Sequence, residues 1–191
     1  ATSDKNWTMP LLREAGPYLD YIAIHGYWDP LFHVNNPAPF LKCMMKTDAP
    51  ERDIQRAIGI LDEAGFGGGK IKIAYDEWNL RNWHHPWHGD LRRGFDLEAR
   101  RKNDIASTYT MADALFSACF LNACLRHSDV VDVACFAPIV NTRGPIFVHP
   151  DGIVKRTTFY VFKVYTNGLE DYMLPVALEA ERLTQGNQST A

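Results

Sequence analysis

Two adjacent acids, Asp76 and Glu77, end a short apolar segment that begins at Ile71, and they are the strongest chemical signal in the sequence. Because side chains alternate along a β-strand, we expect Glu77 to share the apolar face that ends in Tyr75, and Asp76 to point the other way. A carboxylate that rises from a packed interior into a pocket can act as a nucleophile or can stabilise an oxocarbenium-like sugar. The alternative is an ordinary surface carboxylate that caps or pairs locally, as most carboxylates do.

Five polar or aromatic residues lie at or just after the ends of apolar runs, and these are the candidate substrate-binding residues: His25, Tyr27, Trp78, Asn79 and Asn141. In parallel α/β folds, ligands bind beyond the carboxyl ends of the strands, so these residues are expected to converge with Glu77 on one rim. A carboxylate surrounded by aromatic faces, which can pack against the C–H surfaces of a sugar, is what a glycosidase needs.

The elements that must position this rim alternate between strand and helix. Apolar runs predict three strands: Tyr21–His25, Ile71–Glu77 and Val130–Phe136. Helical spacing, and an acidic cap at Asp48 with Glu51 three residues on, predict four helices: Met9–Ala15, one that Gly65 ends, Asp104–Arg126 and Thr157–Tyr165. The later segments predict a hairpin, Gly144–Gly152, and an extended stretch, Asp171–Glu181. This order predicts parallel βαβ units with helices on both faces of the sheet, in a doubly wound sheet or in part of an eight-stranded barrel.

Composition argues against several classes of function. A formal charge of −3 gives no electrostatic reason to expect nucleic acid or an anionic membrane as a partner. No apolar run approaches the roughly 18 residues of a membrane span. The N-terminal residues lack a signal-peptide pattern, so we expect a cytoplasmic protein. The four cysteines have no C-x-x-C spacing and are expected to be reduced core residues rather than zinc ligands or disulfides.

Two segments suggest ligand binding, but their surroundings argue against it. The glycines of Gly65–Lys70 lie between a helix and a strand, which reverses the strand–glycine–helix order of a phosphate loop. His84 and His88 could hold a metal on one helical turn, but Pro86 interrupts the segment. We expect Trp83–His88 to be a rim loop of the sugar pocket or a packed structural loop. We therefore expect no metal and no cofactor.

Three stretches of the sequence, in their order and spacing, resemble one enzyme family. They are Asp76-Glu77-Trp78-Asn79, His25-x-Tyr27 about fifty residues earlier, and Ser128–Asn141 afterwards. Together they are similar to glycoside hydrolase family 51, whose members are mainly α-L-arabinofuranosidases, and the resemblance covers about residues 7–180. It implies that residues 1–168 are the C-terminal portion of a (β/α)8 TIM barrel, strands six to eight. Residues 169–191 would then begin a C-terminal β-sandwich domain.

Carried over position by position, the resemblance implies a role for each candidate. Glu77 matches the family's nucleophile, which forms a covalent arabinosyl-enzyme and retains the anomeric configuration. Tyr27 matches the tyrosine that hydrogen-bonds the nucleophile, and His25 matches a pocket histidine. Trp78 and Asn79 would support the strand end, the amide by hydrogen bonding.

Two positions depart from the family's pattern. Arg81 stands where many members have a tryptophan, and Pro138 stands where many have a sugar-binding glutamine, in the pattern that ends at Asn141. Both departures concern substrate contact and leave the nucleophile in place.

A second catalytic carboxylate is missing from this picture. Retention needs two carboxylates roughly 5–5.5 Å apart. The family's acid/base glutamate follows an asparagine, and no Asn-Glu pair occurs in this sequence. We therefore expect the acid/base outside this chain, which is either a C-terminal fragment of a longer protein or paired with a separate polypeptide. On either reading the missing N-terminal half of the barrel would be one partner of this chain. The other partner is an arabinofuranosyl oligosaccharide or polysaccharide, and the resemblance also implies a homohexamer. The alternative is a non-catalytic sugar-binding or structural chain.

Overall fold

The structure is a computed structural model that describes residues 3–29, 39–81, 110–141 and 143–190. Its helices are α1 (Lys5–Ala15), α2 (Phe40–Met44), α3 (Ala49–Glu63), α4 (Met111–Arg126) and α5 (Thr157–Gly168). Its strands are β1 (Tyr21–Asp29), β2 (Lys72–Arg81), β3 (Val131–Phe136), β4 (Ile146–His149), β5 (Gly152–Lys155), β6 (Leu183–Gln185) and β7 (Gln188–Thr190). The strand and helix alternation expected from the sequence is confirmed in these ranges, and the chain has α/β content.

The chain divides into two compact units, and the first unit contains the described residues among 3–26, 47–78 and 119–136. Its sheet has the strand order β1-β2-β3, and β2 and β3 are parallel, with Ile73 paired to Val131. The three predicted strands are therefore confirmed. Helix α1 begins earlier than predicted because Asp4 caps it, its carboxylate accepting a hydrogen bond from the Asn6 amide at 2.8 Å.

The sheet of the first unit has one packed face and one open face in the part of the chain described. On β1, Ile22 and Ile24 are buried, whereas Tyr21 and His25 are exposed. The prediction of helices on both faces stays a prediction for the second face, which carries polar groups in the described residues. One of them, the Tyr21 hydroxyl, donates a hydrogen bond to Asp132 at 3.0 Å. That hydrogen bond raises the pKa of Tyr21.

Helix α3 begins differently from the capping pattern expected at Asp48 and Glu51. Asp48 occupies the position before the helix but makes no capping hydrogen bond with its side chain. Glu51 instead accepts hydrogen bonds from Arg126, at 3.1 and 2.8 Å, and contacts the His127 ring nitrogen Nε2. Burial alone would raise the pKa of Glu51, but the hydrogen bonds from His127 and Arg126 outweigh it, and the pKa is lowered. This cluster ties the start of α3 to the end of α4.

We expect Glu51→Gln to lower the free energy of unfolding by about 2 kcal/mol at pH 7, because it removes the charge from hydrogen bonds that a carboxylate makes more strongly. A carboxylate with a lowered pKa stabilises the folded state fully above its unfolded pKa of about 4.3 and loses that contribution as the pH falls through its folded pKa. The difference between wild type and variant should therefore shrink below about pH 4.3. Urea unfolding at several pH values measures it.

A matched control lies on the same helix. Glu63 pairs with Lys5 at 2.6 Å, but both side chains are about half exposed. Glu63→Gln should therefore cost less than about 1 kcal/mol. Equal losses at Glu51 and Glu63 would show that the Glu51 cluster has no special role.

The second unit contains the described residues among 27–46, 79–118 and 137–190. The predicted hairpin is confirmed as β4–β5, in which His149 pairs with Gly152 across a two-residue turn. Helix α5 extends to Gly168, and its Tyr165 hydroxyl donates to the Ala118 carbonyl at 3.0 Å. The stretch Asp171–Glu181 has no regular secondary structure, its extended conformation stays a prediction, and the short hairpin β6–β7 follows. The predicted domain boundary between residues 168 and 169 stays a prediction.

All four cysteines are free, and two of them, Cys43 and Cys124, are buried. Burial raises the pKa of Cys124 to about 12, so this thiol is protonated at neutral pH. Among the described residues, no helix is both long and apolar enough to cross a bilayer.

Candidate functional site

The candidate site begins at an irregularity in the pairing of β2 with β3. Tyr75 lies opposite Ala134 and Trp78 lies opposite Phe136. Between these two pairs β2 therefore has one residue more than β3. The extra residue of β2 falls at the two acids between these pairs, and we call this shift of the register the bulge in β2. Bulges add a local twist and re-aim side chains, and they are frequent next to active sites.

The bulge changes which side chains share a face of the sheet. Tyr75 and Trp78 both pack on Phe120 of α4. The centroid of the Phe120 ring lies 4.9 Å from that of Tyr75 and 3.7 Å from that of Trp78. Trp78, rather than Glu77, therefore continues the apolar face of Tyr75. The prediction that Glu77 shares that face is wrong, because simple alternation does not hold across the extra residue.

His25 on β1 brings the two acids together. Its Nε2 lies 3.2 Å from Oδ1 of Asp76, and its Nδ1 lies 3.5 Å from Oε2 of Glu77. The three side chains are each between a third and a half exposed. The prediction that Asp76 points away from Glu77 is therefore wrong, whereas the expected convergence of His25 and Glu77 is observed. A carboxylate with one oxygen beside an imidazole and access to solvent can attack an electrophilic carbon.

Tyr27 follows His25 by two residues and is half-buried. Residues two apart on a strand face the same side of the sheet, which places Tyr27 on the face that carries His25. Tyr27 belongs to the second unit, and its expected hydrogen bond to the nucleophile stays a prediction.

Trp78 is a core residue. It is fully buried, stacks on Phe120 with an interplanar angle of 15°, and meets Phe136 edge-on at 4.8 Å. A ring with both faces covered offers no surface to a sugar, so its burial contradicts direct contact with substrate. The supporting role implied for Trp78 agrees with this packing, because the ring fixes the strand directly after Glu77.

Asn79 is also buried, and its side-chain amide joins β2 to the segment after β3. The amide nitrogen donates to the Ala137 carbonyl at 3.0 Å and to the Arg143 carbonyl at 3.3 Å. These contacts agree with the expected support of the strand end by hydrogen bonding. Direct binding of substrate by Asn79 stays a prediction.

We expect Asn79→Ala to destabilise the native protein by about 1–3 kcal/mol, because one buried and one part-buried hydrogen bond to a carbonyl lose their donor. Asn79→Asp should cost at least as much, because it places an acceptor against the same carbonyls. Asn167, exposed on α5, provides the control, and Asn167→Ala should change stability by less than about 0.5 kcal/mol. Urea unfolding measures all three, and a loss at Asn79 no larger than at Asn167 would remove the structural role.

Asn141 lies on the loop between β3 and β4 in a left-handed conformation, with φ of 58°. Its side-chain oxygen accepts a hydrogen bond from the Val148 amide at 2.8 Å, and its side chain is exposed. Asparagine tolerates this backbone region better than most residues. Asn141 is therefore held in place at the surface, and its expected contact with a sugar stays a prediction.

Two residues with evident roles were not predicted from the sequence. Asp76 of the first unit was expected to face away from Glu77, and Arg156 of the second unit, which holds the loop that carries Asn141, was not singled out at all. Arg156 is buried and donates through Nη1 to the carbonyls of Asn141 at 3.2 Å and of Gly144 at 2.9 Å. Gly144 itself has no room for a side chain, because a Cβ there would lie 2.4 Å from the Ile139 carbonyl carbon. No local pattern identifies an arginine that acts on a loop several residues before it.

Three parts of the sequence for which we made predictions lie outside the residues that the structure describes. They are the loop Trp83–His88, residues 104–109 at the start of a predicted helix, and the side chain of Arg81. Within the residues that are described, no group of three or more His, Cys, Asp or Glu side chains is placed to hold a metal ion.

Comparison with known proteins gives one consistent family. A family model described as the α-L-arabinofuranosidase C-terminal domain matches residues 76–190. The chain is 31% identical over 161 residues to the intracellular exo-α-(1→5)-L-arabinofuranosidase of Streptomyces lividans. It is 31% identical over 168 residues to the probable α-L-arabinofuranosidase C of Aspergillus clavatus. These alignments cover 82% and 83% of the chain but only 23% and 29% of the two relatives.

A solved structure has a similar fold. The glycoside hydrolase family 51 arabinofuranosidase of Xanthomonas axonopodis pv. citri superimposes on 99% of the chain with a TM-score of 0.76 at 21% identity. The chain corresponds to 37% of that structure. The chain thus spans between about a quarter and two fifths of the length of the proteins it matches.

Proposed function

The chain belongs to the α-L-arabinofuranosidases of glycoside hydrolase family 51, and on that basis we propose that the protein containing it is a retaining glycosidase. Its substrates are arabinose-containing plant polysaccharides and oligosaccharides, from which it releases terminal α-L-arabinofuranosyl residues. The three strands of the first unit are strands six to eight of a (β/α)8 barrel in this proposal, and the chain from residue 169 onward enters a β-sandwich domain.

Glu77 is the nucleophile of the proposed reaction. One of its carboxylate oxygens bonds to the anomeric carbon while the glycosidic C–O bond breaks, and a general acid protonates the leaving oxygen. Water then attacks the same carbon, the acid/base residue takes the water proton, and Glu77 leaves as a carboxylate. Two displacements at one carbon retain its configuration. The acid/base glutamate lies outside this chain.

One observation carries the proposal: Glu77 lies in the carboxyl-terminal half of the parallel strand β2, four residues before its last residue Arg81, with its side chain 39% exposed and its Oε2 beside the imidazole of His25. Ligands of parallel α/β folds bind at this end of the strands. The bulge turns Glu77 away from the packed face that Tyr75 and Trp78 occupy, which leaves its carboxylate accessible. Trp78 and Asn79 hold the strand on the far side of the nucleophile.

The test is an assay of the native protein that contains this chain with aryl α-L-arabinofuranoside, and with aryl β-D-xyloside and β-D-glucoside as controls. We expect turnover of the arabinofuranoside alone, and proton NMR should show the α-anomer as the first product released. A β-anomer as first product would contradict retention. Arabinose binding without turnover would favour the non-catalytic alternative.

Two further properties belong to the same proposal. The protein is cytoplasmic in this proposal, and the name of the Streptomyces lividans relative describes that enzyme as intracellular. The protein also assembles as a homohexamer. Light scattering after gel filtration measures the assembly, and a monomeric mass would contradict it.

A further inference from the structure

We propose that Asp76 is a positioning residue that acts on the nucleophile Glu77 through His25. This inference rests on the proposed function, because it assigns a role in the reaction of Glu77. Asp76 and Glu77 are neighbours in the sequence, and an undisturbed strand would send them to opposite faces. The bulge in β2 instead allows one imidazole to contact both carboxylates.

The two contacts of His25 are not equivalent. The ion-pair contact of Nε2 with Asp76 is the shorter one, at 3.2 Å, whereas Nδ1 lies 3.5 Å from Glu77. The shorter contact anchors the ring to Asp76 and thereby fixes the rotation of the ring about its own side-chain bonds. The Nδ1 edge is then held at one place beside Oε2 of Glu77.

A fixed ring matters because all three side chains are partly exposed. A glutamate has three side-chain torsions, and the Glu77 side chain is 39% exposed, so each contact that restricts its carboxylate lowers the entropy cost of placing it. A nucleophile must lie close to its target carbon and in line with the bond that breaks. The anchored imidazole occupies the space on one side of the Glu77 carboxylate. The carboxylate can therefore rotate only through orientations that do not enter that space. Asp76 touches neither the reacting atoms nor the sugar in this scheme.

The experiment is a double-mutant cycle on the native protein with aryl α-L-arabinofuranoside. Asp76→Ala should lower kcat by about 10- to 100-fold with a change in KM of less than about threefold. Asp76→Asn keeps an acceptor for the Nε2 proton and should retain an intermediate kcat. His25→Ala should lower kcat to a similar extent, and the His25→Ala/Asp76→Ala double variant should lose nothing further.

A matched control is available in the hairpin β4–β5. Asp151 makes the same kind of contact, with Oδ2 lying 3.2 Å from Nδ1 of His149, and its side chain is 90% exposed. Asp151→Ala should leave kcat unchanged. An unchanged kcat in Asp76→Ala would overturn the inference. Additive losses in the double variant would also overturn it, because Asp76 would then act independently of His25.

Crystal structures of the native protein and of Asp76→Ala separate this inference from the proposed function. We expect a single His25 rotamer in the first and a displaced or disordered ring in the second. A ring that stays in place without Asp76 overturns the inference even if the enzyme cleaves arabinofuranosides. A ring that is released supports the positioning contact even if the native protein proves to act on another sugar.

Discussion

Glu77→Ala is expected to abolish nearly all turnover of an aryl α-L-arabinofuranoside, with kcat/KM falling on the order of 10⁴-fold or more in the native protein. The reason is chemical: without the carboxylate, no covalent arabinosyl-enzyme forms, and the reaction loses the two-step route. Folding should be preserved, because the side chain is 39% exposed and the bulge that presents it is a backbone feature.

A small external nucleophile distinguishes a lost nucleophile from a damaged site. With a nitrophenyl leaving group, azide can enter the space that Glu77→Ala vacates, bond to the anomeric carbon and displace the phenolate. We expect azide to restore product formation in the variant as arabinosyl azide of inverted configuration, and to have no such effect on wild type. Asp132→Ala, which removes a carboxylate bonded to Tyr21 on the same sheet, should keep wild-type kcat. Unchanged turnover in Glu77→Ala would remove Glu77 from the mechanism.

The strands could be predicted because burial imposes a composition that is visible over short stretches. Each of the three apolar runs contains side chains that are fully or almost fully buried, among them Ile24, Ile73 and Phe136. The same runs also predicted that Glu77 ends its strand, which is wrong, because β2 continues for four more residues to Arg81. Local composition is enough here because burying an apolar side chain stabilises the fold wherever its partners come from.

The orientation of the site could not be predicted, because it depends on pairing between strands. One extra residue between Tyr75 and Trp78 reverses the alternation and moves Glu77 from the packed face to the open one. No glycine or proline marks this bulge in the sequence. The same extra residue explains why Asp76, which alternation placed on the far face, contacts His25.

Contacts over a long sequence separation account for the other differences. The spacing of Asp48 and Glu51 is that of a capping box, yet Glu51 bonds to Arg126, 75 residues later. A charged hydrogen bond to a distant arginine is stronger than the local cap that it replaces. The residues near Glu51 in the sequence give no indication of this partner. The loop contacts of Arg156 belong to the same class, because their acceptors are backbone carbonyls with no sequence signature.

The second large effect expected is on stability. Trp78→Ala should lower the free energy of unfolding by about 3–5 kcal/mol, because it removes the largest of the fully buried side chains in the described ranges and leaves a cavity between Phe120 and Phe136. The stacked and edge-on ring contacts contribute beyond the buried area and are lost as well. Urea unfolding of the native protein, followed by circular dichroism, measures the change.

Trp78→Phe tests whether this residue is packing or part of the sugar pocket. A phenylalanine keeps much of the stack on Phe120, so the stability loss should be smaller, and KM for the arabinofuranoside should not change, because the ring has no face toward substrate. Trp7, 67% exposed on α1, is the control, and Trp7→Ala should cost less than about 0.5 kcal/mol. A raised KM in a fully stable Trp78→Phe variant would contradict the buried assignment and return Trp78 to the pocket wall. Conversely, a large loss of stability with an unchanged KM would show that Trp78 acts through packing that holds β2 in place next to Glu77, and not through contact with the sugar.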